Sequence, residues 1–250
     1  MIRVSCMRSI VLGSAIVLGA CAAGDAIDDP EAAVDSTDQG VAATGSGCAD
    51  VLIITARAST ERAGEGITGN LVTSIVNGSA QSVARASVSY PATLNNYAIS
   101  VGQGISAARQ QIINAVNACP NEKIVLLGYS QGAHVMSTML DGGGSSGAGE
   151  ASAAALPANV LSHIRAAAWF GNPTFQTADN FNRGTNTNRN GRFSRTAAQV
   201  QTLNAFGRVR EWCDTNDTFC AGGNSVNVHL TYLNRYQNAA TSFVLGLIGG

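Results

Sequence analysis

Apolar and polar positions follow two rhythms along this chain. Five short runs rich in β-branched and apolar residues, at 51–56, 86–90, 123–129, 165–170 and 208–212, are too short for helices and read as strands. Between them, 68–80, 97–118, 133–140 and 151–164 repeat apolar residues every three or four positions, which is helical spacing, and 229–247 forms a closing helix. Strands that alternate with helices predict one α/β domain over 48–250. The expected form is a three-layer α/β/α sandwich around a five-stranded, mainly parallel sheet. Two stretches break the rhythm. Residues 141–149 are a Gly/Ser-rich surface loop, and 173–196 are rich in Asn, Arg and Thr with little apolar content. A segment of that length without regular structure suggests a functional role. No repeat of 20–50 residues is present.

The N-terminal pattern is of another kind. Arg3 and Arg8 precede an apolar run over 10–20 that is too short to span a bilayer comfortably, so 1–21 reads as a secretory signal. Leu18-Gly19-Ala20-Cys21 resembles a bacterial lipobox, in which the cysteine becomes the lipidated first residue. Ordinary cleavage after Ala22 fits the small-residue rule as well. Six acids and no base lie within 24–47 (Asp25, Asp28, Asp29, Glu31, Asp35, Asp38), so 22–47 is expected to be a self-repelling, flexible tether. The expected location is therefore secreted or the outer cell envelope, with Cys21 as a candidate lipid site.

Composition narrows the function classes. Of 250 residues, 45% are hydrophobic and only 12% charged, enough to bury a core and too few charges for a disordered chain or coiled coil. The formal charge of −1 divides unevenly: 48–250 hold 13 Arg plus Lys against 10 Asp plus Glu, or +3. That excess is too small and scattered for a nucleic-acid footprint. Beyond Cys6 and Cys21 stand Cys48, Cys119, Cys213 and Cys220, an even number suited to an oxidising compartment. Of their three possible pairings, spacing suggests Cys213–Cys220 as a local staple and Cys48–Cys119 as a long one. No C-x₂₋₄-C pair exists, so zinc is not expected.

Gly128-Tyr129-Ser130-Gln131-Gly132 matches G-x-S-x-G, directly after a strand and before a helical pattern. That is the strand–turn–helix context in which a sharp turn exposes a nucleophilic hydroxyl. A second match around Ser145 lies in the Gly/Ser loop with no strand before it, and reads as linker. A serine hydroxyl needs a base to take its proton, and the chain offers three histidines. His134 lies one turn into the following helix, where its ring would follow the helix. His163 precedes the fourth strand, at the far end of the sheet. His229 follows the last strand, where the Ser…Asp…His order of such sites places the base. The third member must be a carboxylate that orients the imidazole. Asp141, Glu150 and Asp179 fall in or near irregular polar loops, and Glu211 lies inside the fifth strand. Asp214 and Asp217 both lie between Cys213 and Cys220. Asp217, further beyond the strand end, is preferred, with Asp214 the competitor.

These motifs together resemble the cutinase and acetylxylan esterase family: Cys119, Lys123-Ile-Val-Leu-Leu-Gly-Tyr-Ser-Gln-Gly132, Cys213-Asp-Thr-Asn-Asp-Thr-Phe-Cys220 and His229. The resemblance covers about 48–250. It implies an α/β-hydrolase-type sandwich without a large lid, a Ser130–Asp217–His229 triad, and bridges Cys48–Cys119 and Cys213–Cys220. It also implies an oxyanion hole from Ser59, in Arg57-Ala-Ser-Thr-Glu61, and Gln131. Ala58 stands where the family usually has glycine, and no cysteine occurs in 173–207, where acetylxylan esterases often carry a further bridge.

The expected activity is hydrolysis of esters through an acyl-enzyme, without metal or organic cofactor, by a monomer. The segment Ala221–Val228 between Asp217 and His229 reads as short and polar, which favours acetyl or short-chain esters, acetylated xylan among them, over cutin or another polyester. The alternative from another class is a non-catalytic envelope protein that kept the fold for binding, which has no need of elbow, base and carboxylate together.

Overall fold

The computed structural model describes residues 47–142 and 147–249. The expected signal, lipid site and tether, and Ser145 of the second G-x-S-x-G match, lie outside them. The order is β1 (Val51–Ala56), α1 (Gly69–Gly78), β2 (Val83–Ser87), α2 (Tyr97–Ala118), β3 (Lys123–Tyr129), α3 (Gln131–Leu140), α4 (Ala158–Leu161), β4 (Ile164–Phe170), β5 (Asn182–Arg183), α5 (Ala197–Phe206), β6 (Val209–Trp212), α6 (Val226–Leu230) and α7 (Tyr232–Ile248). The sheet has six strands in the order β2-β1-β3-β4-β6-β5, with every pairing parallel. The expectation of five strands misses the two-residue β5, which is too short to leave a periodic signal.

Each face of the sheet carries its own apolar layer. Leu52, Ile54, Ile124 and Leu126 face Val101, Ile105, Val135 and Met136 of α2 and α3. Val51, Ile53, Val125 and Leu127 face Leu71, Val72 and Ile75 of α1 and Ala240 and Val244 of α7. A strand covered on both sides must be apolar at consecutive positions, and all six residues of β1 are buried.

Several expectations change: the strand expected at 86–90 lies at Val83–Ser87, and the closing helix expected over 229–247 is divided into α6 and α7. The helix expected over 151–164 shrinks to α4, because Pro157 disfavours helical backbone at Leu156 and the helix starts only after it. The excursion 173–196 is less polar in structure than in composition. Its Phe175 and Phe181 are buried, and Arg195 is buried between Asp179 and Glu211 with its guanidinium 5.7 Å from the Trp169 ring centroid. The chain then enters α5 through a capping box, in which Thr196 and Gln199 exchange side-chain and backbone hydrogen bonds. Two disulfides close the described chain: Cys48–Cys119, across 71 positions, and Cys213–Cys220, across 7.

Candidate active site

The carboxyl end of β3 turns sharply into α3 at Ser130, whose φ of 54° and ψ of −118° are rarely adopted by residues with a side chain. The turn is held from both sides: the Ser130 N–H donates to Phe170 O at 2.9 Å, and its carbonyl accepts from His134 N–H at 3.0 Å. Glycine is required at 132 because a Cβ there would lie 1.9 Å from Ala56 O of β1. The motif is thus a packing solution, in which α3 approaches β1 closely enough to present the Ser130 side chain at the end of the sheet.

The loop after β1 is fixed from within. Arg57 is buried and donates to the carbonyls of Glu61, Val88, Tyr90 and Pro91. Glu61 in turn accepts from the N–H groups of Ala58 and Ile67, both at 2.7 Å. This brings Ser59 to the cleft that also holds Ser130. The Gln131 side chain is spent on Thr93 O and Ser100 Oγ, which leaves its backbone N–H, the first of α3, as the group available there. Among the described residues neither the Ser59 nor the Gln131 N–H has an acceptor.

His229 lies in α6, which Ser225 caps through the Val228 N–H at 3.2 Å. Its Nδ1 is 2.8 Å from Asp217 Oδ2. Asp217 is fully buried and also accepts from the Phe219 N–H, the Cys220 N–H and, at 2.9 Å, the Tyr232 hydroxyl. Burial alone would raise its pKa, but the hydrogen bond and charge of His229 and the two N–H groups together hold it below the usual carboxylate value. The imidazole has Phe219 at 4.5 Å between ring centroids, and Tyr129 donates to the His229 carbonyl. Gly171 is needed beside it, since a Cβ there would lie 2.7 Å from the ring. Ser130 and His229 line one cleft of about 510 Å³ without a hydrogen bond between them.

The other candidates are committed elsewhere. Asp214, the competitor, pairs with Arg235 at 2.9 Å and accepts from Tyr236 and the Thr185 N–H. His163 contacts the Glu122 carbonyl at 3.1 Å. Glu211 and Asp179 hold Arg195. Glu150 lies in the irregular segment between α3 and α4, as expected, but its side chain is buried and pairs with buried His134 at 3.0 Å. Sequence reasoning missed Tyr232, Tyr129, Phe219 and Gly171 as supports of the pair. Tyr129 was the most accessible of these, since it sits inside the elbow motif.

The cleft itself corrects another expectation. Leu94, Tyr97, Phe193, Phe219, Val226 and Leu230 line it, and Leu94, Val226 and Leu230 are 59%, 50% and 54% exposed. The segment before His229 reads as polar because Asn224, Ser225 and Asn227 surround and outnumber its two valines. In space, Val226 and Leu230 lie one helical turn apart in α6 and present one apolar face.

Comparison with known proteins gives consistent matches. The profile of the cutinase family matches residues 47–248. The chain is 34% identical to Cutinase 11 of Verticillium dahliae over 79% of its own length and 68% of that protein. It is 30% identical to Acetylxylan esterase 2 of Talaromyces purpureogenus over 81% of its length and 88% of the relative. The catalytic core of the Trichoderma reesei acetyl xylan esterase superimposes with a TM-score of 0.73 at 30% identity, covering 80% of this chain and 100% of that one.

Proposed function

The chain belongs to the cutinase family of ester hydrolases, and from that premise we propose that it is an exported serine esterase with Ser130, His229 and Asp217 as its triad. The observation that carries this reading is the 2.8 Å contact between His229 Nδ1 and buried Asp217, beside an elbow that holds Ser130 in the same cleft. His229 Nε2 takes the Ser130 proton as Oγ attacks the ester carbonyl carbon. The tetrahedral oxyanion accepts from the Ser59 and Gln131 N–H groups. The alcohol leaves with the proton returned by His229. Water, deprotonated by the same nitrogen, then attacks the acyl group, and the acid leaves as Ser130 regains its proton. Asp217 keeps the imidazole proton on Nδ1 and stabilises the imidazolium.

The substrate is read as short-chain and acetyl esters, including acetylated xylan, supported by the similarity to acetylxylan esterases. The apolar cleft lining favours a second reading, esters with a longer aliphatic part, as in cutin-like polyesters. Export rests on the signal pattern in 1–21, with lipidation at Cys21 as its anchored form, and on two disulfides suited to an oxidising compartment. An alkyl phosphonate with a p-nitrophenyl leaving group tests the chemistry. It is expected to add one phosphonyl group at Ser130 and abolish hydrolysis, and Ser130→Ala should take up none. Labelling elsewhere, or hydrolysis that survives full labelling, would overturn the assignment.

A further inference from the structure

A second carboxylate–imidazole–hydroxyl chain runs beside the first. Glu150 Oε1 lies 3.0 Å from His134 Nε2, and His134 Nδ1 lies 3.0 Å from the Tyr97 hydroxyl. His134 and Glu150 are fully buried, whereas Tyr97 is half-buried and lines the cleft of Ser130. Burial holds the imidazole neutral and the phenol protonated, because it lowers the pKa of one and raises that of the other. A neutral ring has one N–H. Tyr97 donates its proton to Nδ1, so Nε2 carries the ring proton and donates it to Glu150. Phe193 completes the cluster, 5.5 Å from Tyr97 and 6.0 Å from His134 between centroids. It reaches the cleft from the excursion 173–196, where its N–H donates to Pro173 O at 2.8 Å.

Tyr97 is the first residue of α2, so no preceding helical turn restrains its ring. Its ring packs against the core and Phe193, and its hydroxyl bond to His134 is the directional contact that fixes its orientation. His134 belongs to the helix that begins at Ser130, and its own N–H donates to the Ser130 carbonyl. The wall and the nucleophile are therefore registered to one another through α3. We propose that Tyr97 and Phe193 form a specificity wall for the apolar part of the ester, and that His134 and Glu150 are positioning residues that hold it. This rests on the reading of the Ser130 cleft as the ester site.

The test compares kcat/KM for p-nitrophenyl hexanoate and acetate in Tyr97→Phe, His134→Phe, Glu150→Ala and Glu150→Gln, with phosphonate labelling of Ser130 in each. Tyr97→Phe keeps the ring and loses the hydroxyl, while His134→Phe keeps a ring and loses both bonds. Each is expected to lower the hexanoate-to-acetate ratio about three- to tenfold, chiefly through KM, in line with the cost of leaving a rotamer-rich wall unfixed. The double variant should be no worse than His134→Phe alone, since both single variants break the same Tyr97–His134 bond. Glu150→Gln retains an acceptor for Nε2–H and should restore the ratio that Glu150→Ala loses. Should any of these variants fold poorly, Tyr97→Phe, at a half-buried surface, still decides the matter. A ratio unchanged in Tyr97→Phe, or a uniform fall for both esters with lower thermal stability, overturns the proposal. Failure of Ser130 to label in the unaltered protein would instead overturn the reading of the cleft.

Discussion

Two histidines in this molecule stand against carboxylates at nearly the same distance, 2.8 Å for His229–Asp217 and 3.0 Å for His134–Glu150, yet only His229 has a part in the proposed chemistry. The difference lies beyond the pair. His229 keeps Nε2 uncommitted among the described residues, on the wall of an open cleft that holds a primary alcohol at a strained turn. His134 has spent its other nitrogen on a phenol whose ionisation burial suppresses. A carboxylate–imidazole contact is therefore an orienting device in both places. It serves catalysis only where the third group can attack and where free N–H donors await the oxyanion.

The largest effect that separates the two chains is expected from neutralising each carboxylate. Asp217→Asn should lower kcat by about 10³- to 10⁴-fold, because an amide donates where the imidazole needs an acceptor and favours the wrong tautomer. Glu150→Gln should cost far less, since no proton transfer passes through it. The pH dependence provides an independent check. Asp217 is held below the usual carboxylate value, so its stabilising contribution is complete above the unfolded-chain pKa and is lost as pH falls through the folded one. The melting temperature of wild type minus that of Asp217→Asn should therefore be constant at neutral pH and shrink on acidification through the carboxylate range. A difference that grows toward acid would contradict the assigned environment.

How much of this contrast was legible in the sequence depends on the reach of each interaction. Ser130 was readable because its strand, turn and glycines are adjacent in the chain. His229 and Asp217 followed from topology and from the cysteine clip around the acid. The second chain was not readable, since Tyr97, His134 and Glu150 come from separate elements and their bonds depend on how α2 packs on α3. The same holds for the excursion 173–196, where Phe175, Phe181 and Arg195 are a minority in composition and nonetheless fix the segment to the core. The apolar cleft was missed because Leu94, Phe193 and Val226 are far apart in sequence and meet only at the ends of the strands.

A smaller and more selective effect should come from the two disulfides, which act on different properties. Chain-entropy arguments give about 4 kcal/mol for the Cys48–Cys119 loop and about 2–3 kcal/mol for Cys213–Cys220. The short bridge, however, encloses Asp217, and Cys220 supplies one of its N–H donors and packs its sulfur against the Tyr232 hydroxyl at 3.2 Å. Paired Cys→Ser variants should therefore dissociate stability from rate. Loss of the long bridge lowers the melting temperature more, while loss of the short one lowers kcat more, by about tenfold, with near-ultraviolet dichroism still native. Full activity without the short bridge would mean that Tyr232 and the backbone N–H groups hold the carboxylate unaided.

The smallest effect expected concerns the part of the cleft lining that α6 supplies. Val226 and Leu230 flank His229 in α6 and are half exposed, so they can cover a substrate chain without being part of the proton path. A fully buried methylene is worth about 0.8 kcal/mol, or about fourfold, but an open cleft covers each one only in part. On the second reading, with longer aliphatic esters as substrate, kcat/KM should rise from acetate to hexanoate by about two- to threefold per pair of methylenes, levelling where the chain leaves the wall. Val226→Ser with Leu230→Ser should flatten that rise and bring hexanoate down to the level of acetate. If α6 and the Tyr97 wall grip different parts of the ester, the losses from Tyr97→Phe and from the α6 pair should multiply. If they close on the same methylenes, the combined variant should lose less than the product. A preference for acetate in the unaltered protein that deepens steadily with chain length would leave the apolar lining without a role in binding the acyl group, and would decide for acetyl esters over the second reading.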